Sequence, residues 1–304
     1  MEETRAGKLD KEYNPIDGDQ DFLKGARQVA FGWEHPDVTS GRIASVQSLS
    51  GTGALRQLAE FLKTFRNAPI YISEPTWANH NQLFKASGLD VRTYRYYSDK
   101  TRGLDIDGMI EDLGKAQPGS IILLHACAHN PTGVDPSQEE WKKIADAMKK
   151  NQLFPYFDAA YQGFASGSLE IDGFGMRHFL NEGFQMVVAQ SFAKIMGLYG
   201  ERTGALHVVC KDKATAAKVV SQLKILVRVS YSNAPLHGGR IAKKILGSKQ
   251  NIEQWLKELK GVTDRMNGMR AALKAALIKN GTPGNWDHVT NQIGMFSYLG
   301  LTKE

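Results

Sequence analysis

The 304-residue chain is 42% hydrophobic and 23% charged, an ordinary globular composition with enough apolar material for a large core and a second, smaller domain. No apolar run approaches the ~18 residues a membrane-spanning helix needs, and the charged opening MEETRAGKLDKEYNP does not read as a signal or transit peptide. Cys127 and Cys210 lie in separate strand-like segments, which argues against a disulfide framework; the net charge of +6 comes from scattered basic residues without interleaved aromatics, which argues against a nucleic-acid interface.

In chain order, the first clear element is a helix over 53–65, where Leu55, Leu58, Leu62 and Phe65 recur at helical spacing. Strand-like runs follow at 70–73, 91–96 and 121–125. A helix is predicted from Pro136, with Asp135 as its N-cap and Gln138 three residues past the cap. Further strand-like runs lie at 154–158, 186–190 and 205–210. Strands alternating with helices argue for an α/β fold with a mostly parallel sheet covered on both faces. From Ile252 to Leu277 one long helical pattern runs until Gly281 stops it, a length that often links two domains. Beyond it come a strand-like 295–298 and, at Thr302 and Glu304, the opening of another helix.

Four places carry chemistry, and each sits where a parallel sheet collects functional residues, at the carboxyl end of a strand. Ser50, Gly51, Thr52 and Gly53 lead into a helix whose free N–H groups can bind an anion; Ser50 also suits a plain N-cap. In HACAHNPTG, His125 and His129 invite a metal reading, but that spacing does not converge in a strand or turn and no third ligand is nearby, so no metal is expected. The same turn can aim the Asn130 amide into a cleft, with a cis Asn130–Pro131 bond as one way of doing so.

In FPYFDAAY, Asp158 ends an apolar strand and needs a cationic partner there, such as a protonated pyridine nitrogen, with Tyr161 in reach of the same ligand; capping the next turn is its structural alternative. In QSFAKIMGLYGER, Lys194 follows an apolar strand among small residues, where desolvation and nearby cations lower an amine's pKa. Ser191 and Arg202 bracket it with phosphate-binding chemistry. Trp77 adds an aromatic face. Taken together these form a phosphate cradle, a carboxylate for a ring nitrogen, donors for a phenolate and a Schiff-base amine. That inventory matches pyridoxal phosphate.

The segments SLSGTGALR, EPTWANH, HACAHNPTG, FDAAYQGFASG, QSFAKIMGLYGER and YSNAP, in this order, closely resemble the aspartate aminotransferases, class I, fold-type I pyridoxal-phosphate enzymes. The resemblance implies a three-layer α/β/α large domain that binds the cofactor, 1–260, and the end of a linking helix with part of a small α+β domain, 261–304. It implies that Lys194 forms the Schiff base and shuttles a proton, that Asp158 keeps the ring nitrogen protonated with His80 orienting it, and that Asn130 and Tyr161 bind the 3′ oxygen. Ser50, Gly51, Thr52, Ser191 and Arg202 would hold the phosphate and Trp77 would stack on the ring. The family shares its active sites across a homodimer: Tyr13 would reach the partner's cofactor phosphate, and Arg228 the distal carboxylate of the partner's substrate. Trp77 and Asn130 would also face substrate.

The substrates implied are dicarboxylic amino acids and 2-oxo acids, which the basic balance, with a pI near 9.1, suits. Two cysteines and the wording around Lys194 point to a reducing compartment and to the mitochondrial isoform, with the cytoplasm as the alternative. Against the family pattern the chain starts almost at the Tyr13 motif, and no arginine follows Arg270, whereas the family clamps the substrate α-carboxylate with a later one. Losing such a bidentate pair weakens transition-state binding by several kcal/mol. Asn14 stands where leucine is usual and Thr203 where an aliphatic is usual. Two other readings stay open: an aminotransferase that also takes aromatic amino acids, and a chain that binds cofactor or pairs with a full-length subunit without turning over.

Overall fold

The structure, a computed structural model, describes residues 10–300. Its centre is a seven-stranded sheet built from β1 (Ile43–Leu49), β2 (Ile70–Glu74), β3 (Val91–Arg95), β6 (Ile121–His125), β7 (Phe154–Ala159), β8 (Met186–Ser191) and β9 (Thr203–Val209); β4 (Tyr97–Ser98) and β5 (Gly103–Leu104) form a separate small ribbon. The spatial order is β1-β9-β8-β7-β6-β2-β3. Every strand but β9 points the same way, and β9 pairs antiparallel with both β1 and β8. A parallel return needs a crossover of about a dozen residues or more. The link 192–202 contains no helix and returns β9 directly beside β8, which puts Lys194 and Arg202 on one short loop at the sheet's carboxyl edge.

Alternate side chains of the central strands feed two cores. Ile122, Leu124, Phe157 and Val188 meet the helices Ile106–Lys115, Gln138–Lys150 and Phe174–Asn181 on one face. Ile121, Leu123, Tyr156 and Val187 meet Ser50–Phe65, Asn79–Ala86 and Lys213–Ser230 on the other. Burying each such side chain contributes about 1.5–3 kcal/mol, which is why these strands read as unbroken apolar runs. A third core packs the helix Gln20–Phe31 with Phe192, Ile195, Leu246, Trp255 and Leu259 below the Lys194 loop. The helix Lys249–Lys279 buries only Trp255, Leu259, Thr263 and Arg270, a narrow stripe, and runs through residue 260.

Several expectations shift by a residue or two at strand ends, and others are corrected. The helix expected from Pro136 begins at Gln138 with Ser137 as N-cap, in a capping box with Glu140. Asp135 does not cap it: its buried carboxylate turns back to accept the amides of Ala128 and His129 at 2.6 and 2.9 Å. The run 295–298 joins no strand. Arg270 takes its place as partner, donating to the carbonyls of Val289, Gly294 and Phe296 and to Ser297 Oγ. The helix opening expected at Thr302 and Glu304 lies outside the described residues. Strand β1 and the helices Gln20–Phe31, Lys213–Ser230 and Leu236–Leu246 were not assigned from the sequence.

Candidate active site

A pocket of about 100 Å³ opens at the carboxyl ends of β1, β6, β7 and β8, lined by Ser50, Gly51, Thr52, Trp77, Asn130, Asp158, Tyr161, Ser191, Lys194 and Arg202, together with Leu55, His125, Cys127 and Ala160. Ten of the thirteen residues singled out in the sequence therefore converge. His80 sits directly behind the wall; Tyr13 and Arg228 stand elsewhere.

The anion end is made by backbone as much as by side chains. The helix Ser50–Phe65 starts without any side-chain cap, so Ser50 is its first residue and not its cap. Ser50 adopts φ +58°, and its hydroxyl meets Ser191 Oγ at 2.9 Å. Its amide donates to Arg202 O at 3.1 Å, tying the helix start to the Lys194 loop. Gly204 is required here: a Cβ would come within 2.6 Å of Gln190 O and the Ser50 backbone. Uncapped N–H groups, two hydroxyls and a guanidinium make a cradle for a doubly charged phosphate.

Asp158, next to last in β7, pairs opposite His125. The fully buried His80 approaches its Oδ2 through Nε2 at 3.1 Å. Thr76 Oγ1 lies 2.8 Å from His80 Nδ1 and 3.0 Å from His125 Nε2, so the rings form a relay behind the carboxylate. With His80 donating to Asp158, Thr76 donates to His80 and His125 donates to Thr76. Burial pushes the Asp158 carboxyl up, but the His80 hydrogen bond and neighbouring positive charge, Lys194 included, outweigh it and hold it below the usual carboxylate range. Burial drives His125 down to about 3. The other half of the suspected metal pair, His129, is held between Ser73 Oγ and Thr132 Oγ1.

Lys194 Nζ stands 5.0 Å from the Tyr161 ring centroid. Burial lowers its pKa, Asp158 opposes that and Arg202 adds to it; the amine ends below the ordinary lysine range. Burial first, then the Asp158 charge, raises the Tyr161 phenol, which stays a donor at neutral pH. The Asn130–Pro131 and Glu74–Pro75 bonds are both cis. An ionised carboxylate for a ring cation, a phosphate cradle, a phenol and an amide as donors, and a lowered amine fit pyridoxal phosphate in each of its functional groups.

Comparison with known proteins decides the family. The family description "Aminotransferase class I and II" matches residues 1–304. The chain belongs to the class I and II aminotransferases. It is 50% identical over 301 residues to the mitochondrial aspartate aminotransferase of Gallus gallus, covering 98% of this chain and 71% of that one. The cytoplasmic aspartate aminotransferase of Oryza sativa subsp. japonica is 50% identical over 97% of this chain and 72% of its own. Among solved structures, the aromatic-amino-acid aminotransferase of Burkholderia pseudomallei, covalently bound to pyridoxal phosphate, superposes with a TM-score of 0.96 at 40% identity, over 99% of this chain and 76% of that one.

The aminotransferase carries Tyr13 and Arg228 away from its own pocket. Tyr13 is 85% exposed, and Arg228, at the end of the helix Lys213–Ser230, is also exposed, with Nη1 on Ser232 Oγ at 2.8 Å. Cys127 and His125, which sequence reasoning did not assign to the pocket, both fall at the carboxyl end of β6, and that position was the available signal. Burial pushes the Cys127 thiol well up, so it lines the site as a neutral group. A larger cleft of about 1750 Å³ lies between the helix Gln20–Phe31 and the start of Lys249–Lys279. It holds paired charges, such as Lys243 with Asp19 and Asp21, and none of these groups. Among the described residues no helix is long and apolar enough to cross a membrane.

Proposed function

We propose that this chain is an aspartate aminotransferase that uses pyridoxal phosphate to interconvert L-aspartate plus 2-oxoglutarate and oxaloacetate plus L-glutamate in a ping-pong cycle. The observation that carries the reading is the convergence of Lys194, the Asp158–His80 pair and the Ser50–Ser191–Arg202 cradle on one pocket. When bound, the cofactor supplies an aldehyde that joins amines and a cationic ring that draws electrons from the substrate α-carbon. Lys194 Nζ is the nucleophile that binds it, and the same amine takes the α-carbon proton and returns it on the product side. Asp158 holds the ring-nitrogen proton, and His80 fixes the carboxylate's direction. Asn130 and Tyr161 would donate to the 3′ oxygen, Ser50, Gly51, Thr52, Ser191 and Arg202 would hold the phosphate, and Trp77 would shield the ring from water.

Two subunits complete each site in this reading. Tyr13 reaches the partner's phosphate, and Arg228 takes the distal carboxylate of the partner's substrate, so dicarboxylates are selected. Their exposure on a single chain supports that assignment. Residues 1–260 form the cofactor domain and 261–304 the end of the linking helix and part of a small domain. The relatives are mitochondrial and cytoplasmic; the basic pI of about 9.1 favours the mitochondrial matrix. Single-turnover half-reactions of the cofactor-loaded chain, with L-aspartate or L-phenylalanine as the sole amine donor and followed by the cofactor's absorbance, test the reading. Arg228→Ala should lower the rate with aspartate by about thirtyfold or more, the loss expected for one partner of a charge pair, and barely change the rate with phenylalanine. A wild-type chain preferring phenylalanine, or an Arg228→Ala chain weakened equally on both, contradicts it.

A further inference from the structure

Tyr13 and Arg228 are far apart in sequence and both exposed, yet one run of hydrogen bonds joins them. Arg228 Nη1 donates to Ser232 Oγ at 2.8 Å, Ser232 Oγ donates to Asn233 Oδ1 at 2.9 Å, and Asn233 Nδ2 donates to Asn14 O at 2.6 Å. Asn14 follows Tyr13 directly and is only 4% exposed. Its own side chain donates to Gln47 Oε1 on β1 at 2.9 Å, and Gln47 Nε2 donates to Pro235 O at 3.0 Å, two residues past Asn233. Ser232 sits at φ +65°, a conformation that glycine adopts at lower cost. In that conformation the Ser232 hydroxyl faces back to Arg228.

We infer that Asn233 is a positioning residue that holds the Tyr13 arm and Arg228 in one frame, so that the phosphate contact and the dicarboxylate contact offered to a second copy of this chain are set together. This rests on the paired-subunit reading above. Asn233 suits the task because its amide both accepts, from Ser232, and donates, to the Asn14 carbonyl. The buried Asn14 supplies a second tie to β1 that a leucine in its place does not have. Arg228 without the brace is a long side chain at a helix end with many rotamers, and ordering it on binding then weakens affinity.

The test compares wild type, Asn233→Ala, Arg228→Ala and the double variant, all checked for unchanged thermal unfolding. Affinities for pyridoxal phosphate and for maleate, a dicarboxylate that does not react, are measured by calorimetry. Chymotryptic cleavage after Tyr13 is followed on the cofactor-free chain. Asn233→Ala is expected to weaken both ligands about fivefold, as the loss of one hydrogen bond does, and to speed cleavage after Tyr13. In the Arg228→Ala background, Asn233→Ala should weaken maleate no further. Unchanged cleavage with unchanged affinities overturns the brace, and so does equal weakening of maleate and of hydrocinnamate, an aromatic monocarboxylate. If Arg228→Ala leaves maleate binding intact, the paired-subunit reading falls, and cleavage after Tyr13 alone then decides the brace.

Discussion

Lys194 owes its chemistry to its neighbours. Burial and the Arg202 cation disfavour its ammonium form, and Asp158 favours it. The signs follow directly: Arg202→Met should raise the pH at which Lys194 becomes reactive, and Asp158→Asn should lower it. Competitive acid-anhydride labelling of the cofactor-free chain across pH, read by mass spectrometry, measures both shifts; movement of either in the opposite direction contradicts this account. At this scale the sequence was most informative. An aspartate buried near a strand end is costly without a partner, and it meets nine other residues selected from the sequence in one pocket. What the sequence did not show was the support behind them. Thr76 and His125 make the Asp158 relay through contacts that no spacing reveals. The two departures from the family pattern also diverge: Asn14 gains partners on Gln47 and Ala234, whereas Thr203 Oγ1 is buried with none among the described residues.

Elements were legible where their own period and caps decided them. The helix at 53–65 and the long one ending before Gly281 follow from apolar spacing, yet the first begins earlier, at Ser50, where its uncapped first turn lines the pocket. The helix after Pro136 was assigned the wrong cap because two candidates, Asp135 and Ser137, compete; Ser137 wins by having Glu140 three residues on, while Asp135 serves the turn that carries Asn130. The segment 295–298 looked like a strand because its composition suits one. Instead the Phe296 carbonyl and the Ser297 hydroxyl accept from Arg270, and the Tyr298 backbone pairs with the Gln292 side chain. Phe296 in that segment meets the Tyr161 ring edge at 5.8 Å, and Ile293 N donates to Gly133 O at 2.7 Å, so Arg270 anchors one wall of the site. Arg270→Met strands several buried carbonyls and should cost about 1–3 kcal/mol in urea unfolding. Arg270→Lys, with one donor group in place of a fork, should recover only part of that. An unchanged midpoint in Arg270→Met contradicts the anchoring role.

For the whole molecule, alternation of strands and helices was enough to predict a mostly parallel, two-faced sheet. Neither the strand order nor the reversal of β9 could be read that way, because both depend on which connections are too short to cross over. That reversal matters most for function: the direct return from β8 to β9 brings Lys194 and Arg202 into the pocket that Asp158 and Ser50 also line. By this arrangement Lys194 is the residue we assign to join pyridoxal phosphate. Adding pyridoxal phosphate to the purified chain and recording its absorbance, then adding L-aspartate, tests that assignment most directly. Wild type should show a band from lysine-bound cofactor that is absent in Lys194→Ala and that shifts when aspartate is added. No band in wild type, or the same band in Lys194→Ala, contradicts it.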